Sequence, residues 1–110
     1  ERFGADLVLV SAGFDAHHRD PLAQMRLDSA CYQSLASALI DSAERAGHGR
    51  IGFILEGGYD LQALEESVAG VARALTGERL ALPEDAPSTA GRVALDATCR
   101  ALAPYWKLDD

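Results

Sequence analysis

Two kinds of hydrophobic spacing alternate along the chain. Leu7-Val8-Leu9-Val10 is an unbroken apolar run with β-branched members, ending at Ala12-Gly13. Such a run suits a strand covered on both faces, as strands of parallel sheets are, and it predicts a strand over about 6–12. From Ser29 the interval changes. Tyr32, Leu35, Ala36, Leu39, Ile40 and Ala43 recur at helical spacing and predict a helix over about 29–46. Asp28 or Ser29 is its candidate N-cap, and Gly47 stands where a closing glycine belongs. Arg50 to Leu55 repeats the strand pattern with Ile51, Phe53, Ile54 and Leu55. Asp60 then opens a helix over about 61–76, with Leu61, Leu64, Val68, Val71, Ala72 and Leu75 on one face and Gly77 after it. Residues 78–88, with Pro83 and Pro87, read as a loop. A third helix is expected over about 89–103, stopped by Pro104, with Tyr105, Trp106 and Leu108 as a docking tail.

The order strand, helix, strand, helix is one right-handed crossover unit with a trailing helix, so the fold class is α/β with a parallel sheet. Two parallel strands each leave an edge unpaired, and strands apolar on both faces need helices on both sides. The expected helices supply part of that cover, which points to a larger native sheet. The chain has no initiator Met and enters a strand almost at once, so it reads as a piece of a longer protein.

Composition narrows the function. The 110 residues suit a single domain with a real core, 48% are hydrophobic, and only 6% are aromatic. A formal net charge of −7 argues against nucleic acid as a partner, because phosphate contacts need a basic face. It is compatible with a cationic substrate. No stretch approaches the roughly 20 apolar residues of a membrane span, and the first residues lack the plan of a signal peptide. Cys31 and Cys99 are far apart and form no CxxC; they read as buried thiols on helices, as expected in a reducing cytoplasm.

The candidate chemistry lies in two segments, each following a strand. In an open α/β sheet, ligands collect at the carboxyl ends of the strands. Ser11 to Ala23, SAGFDAHHRDPLA, holds Asp15, His17, His18 and Asp20, four groups of the kind that ligate zinc. The plainer alternative is a polar loop in which Asp15 caps amides and the histidines face water. Leu55 to Asp60, LEGGYD, places Tyr59 at a strand-to-helix corner behind Gly57-Gly58. A neutral phenol there is a donor suited to an oxygen that gains negative charge during acyl transfer. The alternative is a glycine turn with Tyr59 packed as an ordinary aromatic.

SAGFDAHHRDPLA, LEGGYD, the 39 positions from Asp20 to Tyr59 and the tail APYWKL together resemble the closing part of the zinc-dependent histone deacetylase family. The resemblance is strongest to its class II-like and bacterial amidohydrolase branch, which includes acetylpolyamine amidohydrolases. It implies the C-terminal part of an arginase/deacetylase-type three-layer fold. It further implies Asp20 as a metal ligand for Zn2+, Tyr59 as the catalytic donor to the substrate carbonyl, and Gly57 and Gly58 at the base of a substrate channel. Leu27 falls where the family places an apolar wall residue. His17 and His18 do not match the family's catalytic histidines and are not expected to hold metal. The family's other two zinc ligands and its general-base histidines belong to segments that this sequence does not contain. The implied activity is removal of acetyl groups from an acetylated amine, acetyl-lysine or acetylpolyamine, with the 110-residue chain inactive by itself. A small anion-binding module and a non-catalytic scaffold are the alternatives.

Overall fold

The computed structural model describes residues 3–84 and 86–107, so Leu108 of the expected tail lies outside them. Strand β1 (Val8–Ala12) pairs in parallel with β2 (Ile51–Leu55), in register from Val8 opposite Ile51 to Ala12 opposite Leu55. Between them runs α1 (Ser29–Arg45); α2 (Leu61–Leu75) follows β2, and α3 (Thr89–Leu102) comes last. Each helix begins at a side chain that satisfies a free amide. Asp28 Oδ1 accepts from Cys31 N at 2.8 Å, Asp60 Oδ1 from Ala63 N at 2.7 Å, and Ser88 Oγ from Gly91 N at 3.1 Å. The chain leaves α1 and α2 through Gly47 and Gly77, both at positive φ.

The core is one-sided. Phe14, Tyr32, Ala36, Ile40, Val71 and Ala74 form it, with Ala12, Ile51, Phe53 and Leu64 packed against it. Pleating sends alternate strand residues to opposite faces. Ala12, Ile51 and Phe53 therefore turn toward α1 and α2, while Leu9, 62% exposed, and Ile54 lie on the uncovered face. The sheet has two strands among the described residues, and the helices cover one of its faces, the partial cover expected.

The buried stripe of α2 differs from the expected one. Ala63, Ser67, Gly70, Val71 and Ala74 are buried, whereas Leu61 is 80% exposed and Val68 and Leu75 are also exposed. Small residues face α1 because they let the helix backbones approach closely. A Cβ at Gly70 would stand 3.2 Å from Gln33 Cβ and 3.4 Å from the Ser29 carbonyl oxygen. In α1 the same rotation buries Ser34 and Ser37 and leaves Leu35 and Leu39 exposed.

The third helix buries no residue. The expected docking tail is largely open: Tyr105 is exposed, and the Trp106 ring meets Phe3 at 6.5 Å. Cys31 and Cys99 are free and half-buried rather than buried. Among the described residues no helix is long and apolar enough to cross a membrane.

Candidate active site

The strand register decides where the two motif loops start. Ala12 and Leu55 end their strands side by side, and the ladder continues past them, with Glu56 N donating to Ala12 O at 3.0 Å and Phe14 N to Gly57 O at 2.7 Å. Both loops therefore leave the same rim of the sheet. Asp20 and Tyr59 meet there. The Asp20 carboxylate accepts from Leu22 N through Oδ1 at 2.9 Å and from Tyr59 N through Oδ2 at 2.8 Å. Asp20 is 8% exposed, while the Tyr59 side chain is 58% exposed. The aspartate is thus held by amides, and the phenol projects from the same corner.

Burial pushes the Asp20 pKa up, but the amides of Leu22 and Tyr59, with lesser help from Asp60 and Ala23, outweigh it. The net result lies below the ordinary aspartate value, so the group is a carboxylate at neutral pH. With Leu22 N on Oδ1 and Tyr59 N on Oδ2, the carboxylate still has lone-pair capacity for a cation. That chemistry fits a single zinc ligand.

Gly57 and Gly58 are required by internal packing. A Cβ on Gly57 would lie 2.8 Å from Asp15 Cγ. Gly58 has φ 141°, and a Cβ there would lie 3.0 Å from Phe14 Cβ and 3.1 Å from Leu64 Cδ1. Leu27 is half-buried and packs against the core cluster. Its backbone is bonded twice to the first loop, donating to Ala16 O at 3.0 Å and accepting from His18 N at 2.8 Å. An open hollow beside Asp20 is lined by His18, Gln24, Met25 and Arg26, without Tyr59.

The histidines behave differently from one another. His18 is exposed, with Nδ1 3.2 Å from Leu27 O. His17 is 1% exposed, its ring stacked on that of His18 at 4.4 Å. Burial lowers the His17 pKa, and the nearby His18 and Arg19 lower it further, so the ring is neutral at pH 7. The loop reading that put both histidines in water therefore holds for His18 alone. Among the described residues, no group of three or more His, Cys, Asp or Glu converges on a point that could hold a metal ion. Asp15 packs against Gly57 and His17 faces Ser29, so the four sequence candidates diverge. The importance of His17, Ser29 and Glu66 is not visible in the sequence, because their bonds link positions 12 and 37 residues apart.

Comparison with known proteins bears on the same residues. Residues 1–75 match the family profile described as "Histone deacetylase domain". Histone deacetylase 14, chloroplastic, of Arabidopsis thaliana is 50% identical over 78 residues, which cover 71% of this chain and 18% of that protein. Polyamine deacetylase HDAC10 of Homo sapiens is 39% identical over 108 residues, covering 96% of this chain and 15% of that protein. The crystal structure of the HDA15 HD domain superimposes with a TM-score of 0.82 at 32% identity, over 96% of this chain and 27% of that one. The chain thus spans less than a third of each of these relatives.

Proposed function

The chain belongs to the histone deacetylase family, and on that premise we propose that the whole protein is a zinc-dependent amidohydrolase releasing acetyl groups from acetylated amines. Acetyl-lysine and acetylpolyamine are the substrate classes. The observation that carries this reading is the 2.8 Å bond from Tyr59 N to Asp20 Oδ2, which joins the two residues that the chemistry requires together.

Zinc, when bound, would polarise the substrate carbonyl and make its bound water acidic enough to attack near neutral pH. Asp20 is the ligand that this reading assigns to the chain. Its ionised, amide-held carboxylate needs no reorganisation to accept a cation. Tyr59 donates its phenolic hydrogen to the carbonyl oxygen as negative charge builds there, a contact that strengthens toward the transition state. Gly57 and Gly58 floor the substrate channel and Leu27 contributes to its wall. Having one ligand of the three a catalytic zinc takes, the 110-residue chain is inactive alone. Localisation in a reducing cytoplasm is part of the same proposal.

The anion-binding alternative loses support at α2. There the Asp60 carboxylate already accepts from Ala63 N, filling the N-terminus with negative charge.

The test uses the whole protein. Tyr59→Phe is expected to lower turnover by roughly 10²–10³-fold with zinc content unchanged, the cost typical of removing one oxyanion donor. Asp20→Ala is expected to lose the metal. Undiminished turnover in Tyr59→Phe would reject the role given to the phenol.

A further inference from the structure

His17 takes no part in the chemistry above, yet it is the largest fully buried side chain among the described residues. Both of its ring nitrogens are engaged. Arg19 N donates to Nδ1 at 3.1 Å, which leaves Nδ1 bare and puts the hydrogen of the neutral ring on Nε2. Nε2 then donates to Ser29 Oγ at 3.2 Å. Ser29 Oγ in turn donates to Glu66 Oε2 at 3.2 Å, and the Arg19 guanidinium reaches the same oxygen at 2.7 Å. The four residues close a ring. One tautomer satisfies every member of it, and it spans three elements: the first motif loop, the first residue of α1 and the middle of α2. Its output is the backbone of the next residue that matters, because the His17 carbonyl accepts Asp20 N at 2.9 Å.

We propose that His17 is a positioning residue for Asp20, acting through the ring with Arg19, Ser29 and Glu66 to fix where the carboxylate meets the Tyr59 amide. This rests on the roles given above to Asp20 and Tyr59. Backbone bonds to Leu27 and Gly57 hold the start of the loop, whereas the stretch after Asp20 is open. Residues 21–26 are exposed, and Gln24 sits at φ 55°. The ring ties the near side of Asp20 to both helices, while the Leu22 and Tyr59 amides hold its far side. Groups behind a metal ligand commonly contribute about 10–100-fold to metal affinity by such orientation.

Zinc affinity by chelator competition, alongside turnover, tests this in the whole protein. His17→Leu, which keeps bulk and loses both polar contacts, is expected to bind zinc roughly 10–100-fold more weakly. His17→Gln, whose amide nitrogen replaces the donor to Ser29, is expected to recover most of that loss. Zinc affinity within twofold of the parent in His17→Leu overturns the inference. An equal loss in the Leu and Gln variants overturns it too, since that marks packing rather than hydrogen bonding. Should His17→Leu not fold, Glu66→Ala breaks the ring from its exposed side. That variant is expected to weaken zinc binding several-fold, and an unchanged affinity overturns the proposal. Asp20→Ala separates the two levels: retained zinc there defeats the metal-ligand reading itself. Lost zinc beside an unaffected His17→Leu defeats only the role of His17.

Discussion

The roles proposed for Asp20 and Tyr59 match their exposure. The carboxylate is nearly enclosed and held at both oxygens, whereas Tyr59 is open, and the bond between the two residues runs to the Tyr59 amide. A ligand benefits from being fixed before the cation arrives; a donor to a reacting oxygen needs room for the substrate. The corner between them tolerates no extra atoms. At Gly58 both the backbone angle and the neighbours Phe14 and Leu64 oppose a side chain. Gly58→Ala is therefore expected to destabilise the whole protein by about 1–3 kcal/mol, the range for an over-determined strained residue, read as a fall in Tm. An unchanged Tm would mean that the corner relaxes freely. Arg19 and Glu66, both partly exposed, are joined by an ion pair at 2.7 Å. Solvent screens an exposed pair of this kind, so its value lies in closing the ring around His17.

At the scale of elements, local signals did much of the work. The strand runs, the helix spacing, and the caps at Asp28 and Asp60 are all legible in the sequence. The Asp28 cap yields a pH prediction. The Cys31 amide lowers the Asp28 pKa below the ordinary carboxylate value, so the cap's contribution is complete above about pH 4 and is lost as pH falls through the lower folded value. Asp28→Ala should cost about 1 kcal/mol at pH 7, and the Tm gap to the parent should narrow as pH drops from about 5 toward about 2. A gap independent of pH would show that the carboxylate charge does not act at the cap. The rotational setting of α2 was not legible. Of the expected apolar stripe, Val71 is buried and Leu64 packs on the core, but Leu61, Val68 and Leu75 are exposed and the seam with α1 takes Ala63, Ser67, Gly70 and Ala74 instead. A hydrophobic period reports that a helix has an apolar side; closeness of approach depends on the partner helix.

For the molecule as a whole, the sheet is the feature with most consequence. Its inner face carries the core, while Leu7, Leu9 and Ile54 present exposed apolar side chains beyond it. An apolar pocket of about 310 Å³ also opens between β1 and α1, lined in part by Val10, Leu35 and Leu39. Exposed apolar surface on either side of the sheet favours association. The 110-residue chain alone is expected to bind the dye ANS and to scatter light. Leu9→Lys with Ile54→Lys should lower both signals, and signals unmoved by that double change would show that the face is not their source. The parallel pairing also explains the site. Residues 39 positions apart meet because Ala12 and Leu55 end level with one another.

The sequence by itself determined the elements, the caps at Asp28 and Asp60, the glycine corner and, through two short motifs, the family. These are local properties: backbone preference, side-chain period and the residue types a reaction needs. Tertiary structure alone decided which side of α2 is buried, that His17 is enclosed while His18 is not, and that Asp20 is held by the Tyr59 amide. Each of those depends on distances between segments remote in the chain, fixed only when β1 and β2 align and α1 closes on α2. No residue pattern along the chain encodes a hydrogen bond whose partner arrives by folding.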